Sequence, residues 1–212
     1  MSILITGASA GFGKATCIAF VKAGYKVIGA ARRLEKLQEL KDQLGENFYP
    51  LQMDVSKTEQ IDTALSQLSP EWAQIDLLVN NAGLALGLEP AHKADFNDWQ
   101  TVIDTNIIGL AYLTNKILPQ MVERNQGHVI NLSSIAATYP YPGGNVYGAS
   151  KAFVTQLSLN LRADLAGTKV RISSIEPGLC GGTEFSNVRF KGDNERATSL
   201  YAGTNAIQPE DI

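Results

Sequence analysis

"TGASAGFG", residues Thr6 to Gly13, follows the short apolar run Ile3–Thr6 and opens the helical pattern Lys14–Ala23. A glycine-rich turn between strand and helix presents backbone N–H groups at the positive end of the helix dipole, a setting that favours phosphate. Two nucleotide patterns compete for it. A P-loop reads G-x-x-x-x-G-K-[ST]; here five residues separate Gly7 from Gly13, and Lys14 is followed by Ala15, so no hydroxyl stands ready for Mg²⁺. The observed G-x-x-x-G-x-G over Gly7, Ala8, Ser9, Ala10, Gly11, Phe12 and Gly13 is a looser relative of the dinucleotide fingerprint. There the glycines permit a tight turn and close approach to a pyrophosphate. Glycines after a strand can also serve the turn alone, so the context must decide.

That context is βαβ. Continuous apolar runs at Ile3–Thr6, Lys26–Ala31, Phe48–Met53, Ile75–Val79, His128–Leu132 and Val170–Ile175 are short and mostly β-branched, and read as strands buried on both faces. Helical patterns lie between them at Lys14–Ala23, Leu34–Leu44, Thr58–Leu68, Asp98–Arg124 and Val146–Leu165. The alternation, with no linker or composition break, predicts a single α/β domain over residues 1–212. Right-handed crossovers make it a doubly wound Rossmann fold, a parallel sheet with helices on both faces. A TIM barrel is the main competitor, but it typically takes about 250 residues and eight strands.

Composition narrows the partners. A net charge of −3 and no basic stretch argue against nucleic acid. No apolar run approaches the roughly 18–20 residues that cross a bilayer, and "MSILITGASAGFG" lacks the features of a signal peptide. Cys17 and Cys180 fall in no paired motif, which fits a reducing cytoplasm, and His92 and His128 belong to no ligand cluster, so no metal site is expected.

The second strand ends in "GAARRLEK" (Gly29–Lys36). An NAD site would usually carry an acid about 20 residues past the glycines, bonding the ribose 2′-hydroxyl. Ala31 occupies that place, followed by Arg32 and Arg33, whose guanidiniums suit a 2′-phosphate. NADP is therefore the expected cofactor; two solvated arginines closing a loop are the plainer alternative.

"GGNVYGASK" (Gly143–Lys151) puts Tyr147 four residues before Lys151, on one face of a helix. A free phenol, with a pKa near 10, is a poor base at neutral pH; an ammonium beside it favours the phenolate.

With these residues, the sequence resembles the short-chain dehydrogenase/reductase family along essentially its whole length. The matching pieces are "TGASAGFG", "DV" at Asp54–Val55, "NNAG" at Asn80–Gly83, "DTNIIG" around Asn106, Ser134, "YGASK" and "PG" at Pro177–Gly178. The step of 13 residues from Ser134 to Tyr147 selects that serine over Ser133. "NNAGLALGLEPAHKA", "YPGGNVYGASKAFV" and "EPGLCGGTEFSNVRFKGD" are most similar to the NADP-dependent 3-hydroxy acid dehydrogenases, also described as L-allo-threonine or serine dehydrogenases and malonic semialdehyde reductases.

The resemblance implies an oxidoreductase in which Tyr147 moves a proton, Lys151 assists it and holds the nicotinamide ribose, Ser134 bonds the substrate oxygen, and Asn106 anchors a water leading to Lys151. It places Asp54 and Val55 beside the adenine and Asn81 along the adenosine half. Pro177, Gly178, Leu179, Cys180, Gly181, Gly182, Thr183, Glu184 and Phe185 are expected to wrap the nicotinamide, with Thr183 on the carboxamide. Gly181–Gly182 set that threonine one residue later than the common family pattern. Asp54 could instead cap the following helix. A homotetramer is implied too, as is a C-terminal helix and seventh strand after "AIQPEDI", where Pro209 begins what reads as a helix start; the chain is expected to omit that segment.

The substrate reading rests on the long segment after the sixth strand. It carries Arg189, flanked by Val188 and Phe190, which would fold the guanidinium inward to grip a carboxylate while Ser134 and Tyr147 hold an alcohol two carbons away. Small 3-hydroxy acids such as serine, allo-threonine and 3-hydroxypropionate, or malonic semialdehyde in reverse, fit that arrangement; a solvated mobile loop is the bland alternative. Other small carbonyls such as sulfoacetaldehyde, or a non-catalytic NADP-binding sensor on the same fold, remain open.

Overall fold

The computed structural model describes residues 1–211. Six strands form one parallel sheet: β1 (Ser2–Thr6), β2 (Lys26–Ala31), β3 (Phe48–Gln52), β4 (Ile75–Asn80), β5 (Gly127–Leu132) and β6 (Val170–Ile175). Their order is β3-β2-β1-β4-β5-β6, the doubly wound arrangement expected from the sequence. It reverses between β1 and β4, which opens a crevice at the carboxyl ends of the strands.

Because successive strand residues point to opposite faces, the two sides of the sheet build separate cores. Leu4, Ile28, Leu78 and Val129 pack on one side with Ile61, Leu113, Ile117 and Met121. Ile3, Ile5, Val27, Leu77 and Val79 pack on the other with Cys17, Leu37, Leu40 and Phe48. Every residue of β1 is buried, as in a strand covered on both faces.

The helices are α1 (Gly11–Lys22), α2 (Leu34–Leu44), α3 (Thr58–Ser66), α4 (Pro70–Ala73), α5 (Phe96–Ile103), α6 (Leu110–Glu123), α7 (Asn145–Asp164), α8 (Phe185–Arg189) and α9 (Asn194–Ser199). The single helix expected over Asp98–Arg124 is interrupted: Asp104–Gly109 form a π-helical turn between α5 and α6, with Asn106 inside it. The segment after β6 is not without secondary structure either, since it holds α8 and α9 and returns as a bridge between Cys180 and Ile207. Pro209–Asp211 make one 3-10 turn. No helix among the described residues is long and apolar enough to cross a membrane.

Candidate active site

The glycine turn is shaped by what cannot fit in it. Gly7 and Gly11 have φ of +69° and +50°, conformations that cost side-chain-bearing residues strain. At Gly13 a Cβ would collide with the Gly7 carbonyl and stand 2.6 Å from the Asn81 amide nitrogen. Asn81 itself donates to the Thr6 carbonyl at 2.7 Å, and the Thr6 hydroxyl accepts from the backbone of Asn81 and Ala82, which joins the ends of β1 and β4. The result is bare backbone at the start of α1, facing a cavity of about 800 Å³. The cavity runs past Ala31, Arg32, Arg33, Asp54 and Val55 to Ser134, Tyr147 and Arg189. Its glycine-lined floor, arginine pair and length fit an NADP molecule.

Asp54 accepts from the backbone N–H and hydroxyl of Ser56, so it caps the turn before α3 rather than the helix itself. Arg33 donates to Ser9 Oγ at 3.0 Å and to both oxygens of Glu184, at 2.8 and 3.3 Å. Glu184, expected to wrap the nicotinamide, turns its carboxylate to the guanidinium of Arg33, just past β2, and pairs with it. Thr183 stands over the glycine turn, its Cβ 3.2 Å from where a Gly11 Cβ would be. Its hydroxyl accepts from the Phe185 N–H, and the Phe185 ring packs edge-on against Tyr147 at 5.6 Å.

The helix α7 carries Tyr147 and Lys151 to the same cavity wall. Lys151 is 6% exposed and spends its one protein hydrogen bond on the Leu132 carbonyl, 2.7 Å away. Burial lowers its pKa to about 8. Its ammonium is 5.9 Å from the centre of the Tyr147 ring. Asn106 is 1% exposed; its amide accepts from Leu84 N–H and donates to the Leu84 carbonyl and to Ser150 Oγ. Ser150 in turn donates to the Tyr147 carbonyl at 2.7 Å. A Cβ on Gly83 would sit 3.3 Å from both Asn106 Oδ1 and Lys151 Nζ, so the three meet closely.

The two adjacent serines separate by role. Ser133 Oγ is engaged with the Lys151 carbonyl and with Thr155, whereas Ser134 Oγ accepts from Ala136 N–H and lines the cavity beside Tyr147. Burial raises Tyr147 to about 12, against the lowering expected from Lys151; the Ser134 hydroxyl and the charge of Arg189 pull the other way. In this surrounding the loss of water outweighs the helix neighbour.

Arg189, at the end of α8, is 7% exposed. Its Nε donates to the Gly87 carbonyl at 3.0 Å, its Nη2 to the Tyr141 hydroxyl at 2.8 Å, and Gly87 N–H returns a bond to the Arg189 carbonyl at 2.9 Å. No carboxylate pairs with Arg189 or with Lys151 among the described residues. Two buried cations therefore share the cavity wall with the phenols of Tyr141 and Tyr147. Charge this deep without a counter-ion is costly unless a ligand supplies one.

Thr6, Ser150 and Gly87 escaped the sequence reading. Thr6 had a signal, a hydroxyl at the end of an apolar strand, and so had Ser150, three residues past Tyr147 on its face; Gly87 had none. Cys180 lines the cavity, and partial burial raises its thiol above the ordinary range.

The chain matches the family described as short chain dehydrogenase over residues 1–194. It is 63% identical over 209 residues to a probable NADP-dependent dehydrogenase of Haemophilus influenzae, covering 99% of this chain and 83% of that protein. It is 60% identical over 212 residues to the NADP-dependent 3-hydroxy acid dehydrogenase YdfG of Escherichia coli K12, covering 100% of this chain and 86% of the relative. Among solved structures, the closed form of serine dehydrogenase complexed with NADP+ superposes with a TM-score of 0.98 at 60% identity, over 100% of this chain and 85% of that one.

Proposed function

Because the chain belongs to the short-chain dehydrogenase family, we propose that it is an NADP-dependent oxidoreductase, one dinucleotide-binding domain acting on the 3-hydroxyl of small 3-hydroxy acids. Serine, allo-threonine and 3-hydroxypropionate, or the matching semialdehydes such as malonic semialdehyde, are its substrates. The observation that carries the reading is Arg189, a buried guanidinium with no carboxylate partner among the described residues, 5.7 Å from the Tyr147 ring. A substrate carboxylate supplies the missing anion.

The residues divide the work. The glycine turn and the N-terminus of α1 hold the pyrophosphate, Arg32 and Arg33 the 2′-phosphate, and Lys151 the nicotinamide ribose. Bound NADP+ supplies the hydride acceptor, and its positive ring adds to the pull on the phenol. Ser134 donates to the substrate oxygen and stabilises charge there. Tyr147 Oη takes the proton of the alcohol in oxidation and returns it in reduction. Asn106 keeps Ser150, and through it the Tyr147 carbonyl, in place at the head of α7.

Relatives named for 3-hydroxy acid and serine dehydrogenation support the substrate class. A sulfonate such as sulfoacetaldehyde presents the same anionic end to Arg189 and is the second reading. A homotetramer goes with the first, supported by the exposed apolar side chains Ile108 in the Asp104–Gly109 turn and Phe153 and Leu159 on α7. A cytoplasmic site of action is supported by Cys17 and Cys180, both free. The deciding experiment is NADP+ reduction with serine, allo-threonine and 3-hydroxypropionate beside neutral alcohols of equal length. Turnover of the acids alone is expected; turnover of the alcohols alone removes the reading.

A further inference from the structure

One guanidinium ties three distant pieces of the cavity together. Arg33, just before α2, donates through Nη2 and Nη1 to Glu184 Oε2 and Oε1 at 2.8 and 3.3 Å, two parallel bonds of the fork kind. Its Nε and Nη2 also donate to Ser9 Oγ, at 3.3 and 3.0 Å, within the glycine turn. Arg33 and Glu184 are 151 residues apart in sequence. Between Glu184 and the sheet, Thr183 rests on Gly11, and Gly182 takes φ +65° to turn the chain there. The stretch after β6 is thus laid over the glycine turn and fastened on its far side by this pair.

We propose that Glu184 is the latch of the cofactor groove, a positioning residue whose pair with Arg33 fastens Gly182–Phe185 over the glycine turn, so that the bound dinucleotide leaves only once the pair opens. The inference rests on the reading of that groove as an NADP site. Both side chains are partly exposed, and such a pair adds little to fold stability; its effect falls on the rate at which the segment lifts. Arginine has five donors in a planar fork, enough to keep the carboxylate and Ser9 on some and offer others to a 2′-phosphate. The latch and the phosphate contact then share one residue, which sets the closed segment beside the feature that distinguishes NADP from NAD.

The test needs no substrate. NADPH is bound to the full chain, excess NADP+ is mixed in rapidly, and the loss of bound-nucleotide fluorescence gives the release rate. Glu184→Gln keeps the shape and removes the charge. Release is expected to quicken about two- to fivefold, the range for a partly exposed pair. The quickening should vanish when Arg33→Gln is already present, because the partner is gone. Unchanged release in Glu184→Gln, or the same quickening with Arg33→Gln, overturns the latch; the latter assigns the effect to a general loosening of the segment. Failure of the unmodified chain to bind NADPH at all overturns the cofactor reading and the latch with it, an outcome distinct from binding with an unaltered rate.

Discussion

The guanidinium of Arg189 lies 5.7 Å from the ring of Tyr147 and 5.4 Å from that of Tyr141, buried and without an acid to answer it among the described residues. This relationship joins substrate choice to the proton-carrying phenol. Arg189→Ala should raise KM for serine and 3-hydroxypropionate tenfold or more, the scale of a lost charge-assisted contact. Cofactor affinity should change little. Arg189→Lys, which keeps charge but loses the fork, should fall between the two. Steady-state kinetics with the acids checks this; an unchanged KM in Arg189→Ala would move the carboxylate contact to another group.

Tyr147→Phe keeps the ring that packs against Phe185 and removes the proton carrier. Turnover should fall by about 10²–10⁴, the usual contribution of a positioned acid–base group, while NADPH still binds. Fluorescence titration of NADPH beside kcat separates the two. Near-normal turnover would show that some other group moves the proton.

The fold was legible because burial on both faces writes itself into β1 as an unbroken apolar run, and because the glycine turn has nowhere to put a side chain. Tyr147 and Lys151 were legible from their spacing. The π-helical turn at Asp104–Gly109 was not, since apolar periodicity is nearly the same through it and Asn106 is held by Leu84 and Ser150 from elsewhere in the chain. The pair of Glu184 with Arg33 was not legible for a similar reason: the partner lies 151 residues away and leaves no local mark. Arg189 was found on an argument that is half right. Phe190 is buried as expected, but Val188 is 40% exposed, and the guanidinium is drawn inward by Gly87 and Tyr141.

Gly13→Ala tests the floor of the groove. Its Cβ would meet the Gly7 carbonyl and the Asn81 amide, backbone and a hydrogen-bonded side chain that have no free direction to retreat. The glycine turn must shift, so NADPH affinity should drop at least tenfold and the melting temperature with it. Gly178→Ala, whose Cβ would find only Ile135 at 3.9 Å, should cost far less. Equal affinity for both variants in a fluorescence titration would mean that the close packing at Gly13 is unrelated to binding.

Cofactor preference should follow the arginine pair. Replacing Arg32 and Arg33 together by glutamine should lower the kcat/KM ratio of NADP+ to NAD+ at least tenfold, through charge-assisted contacts worth about 1.5–3 kcal/mol each. Most of the change should appear in the NADP+ value, because NAD+ has no 2′-phosphate to lose. The ratio of kcat/KM for the two cofactors is the measurement. A ratio near one in the unmodified chain would refute the assignment.

Lys151 makes a prediction about stability that runs opposite to its role in turnover. Its folded pKa is about 8, pushed down by burial from an ordinary 10.5. Between those values the unfolded chain binds more protons than the folded one, so stability gains with rising pH across that window. Below about pH 8 the ammonium is charged in both states, and its burial is fully paid in lost stability, on the order of 3 kcal/mol from a shift of this size. Lys151→Met removes the titration, and with it this part of the pH dependence. The variant loses the donor to the Leu132 carbonyl, which offsets part of its gain at pH 7. The difference in unfolding free energy, variant minus unmodified, should therefore fall by about 1–3 kcal/mol as pH rises from 7.5 to 10. Urea unfolding of the cofactor-free chain at those two pH values measures it. A difference that stays constant would place the Lys151 pKa near its ordinary value, and the buried ammonium would then need an anionic neighbour that no described residue provides.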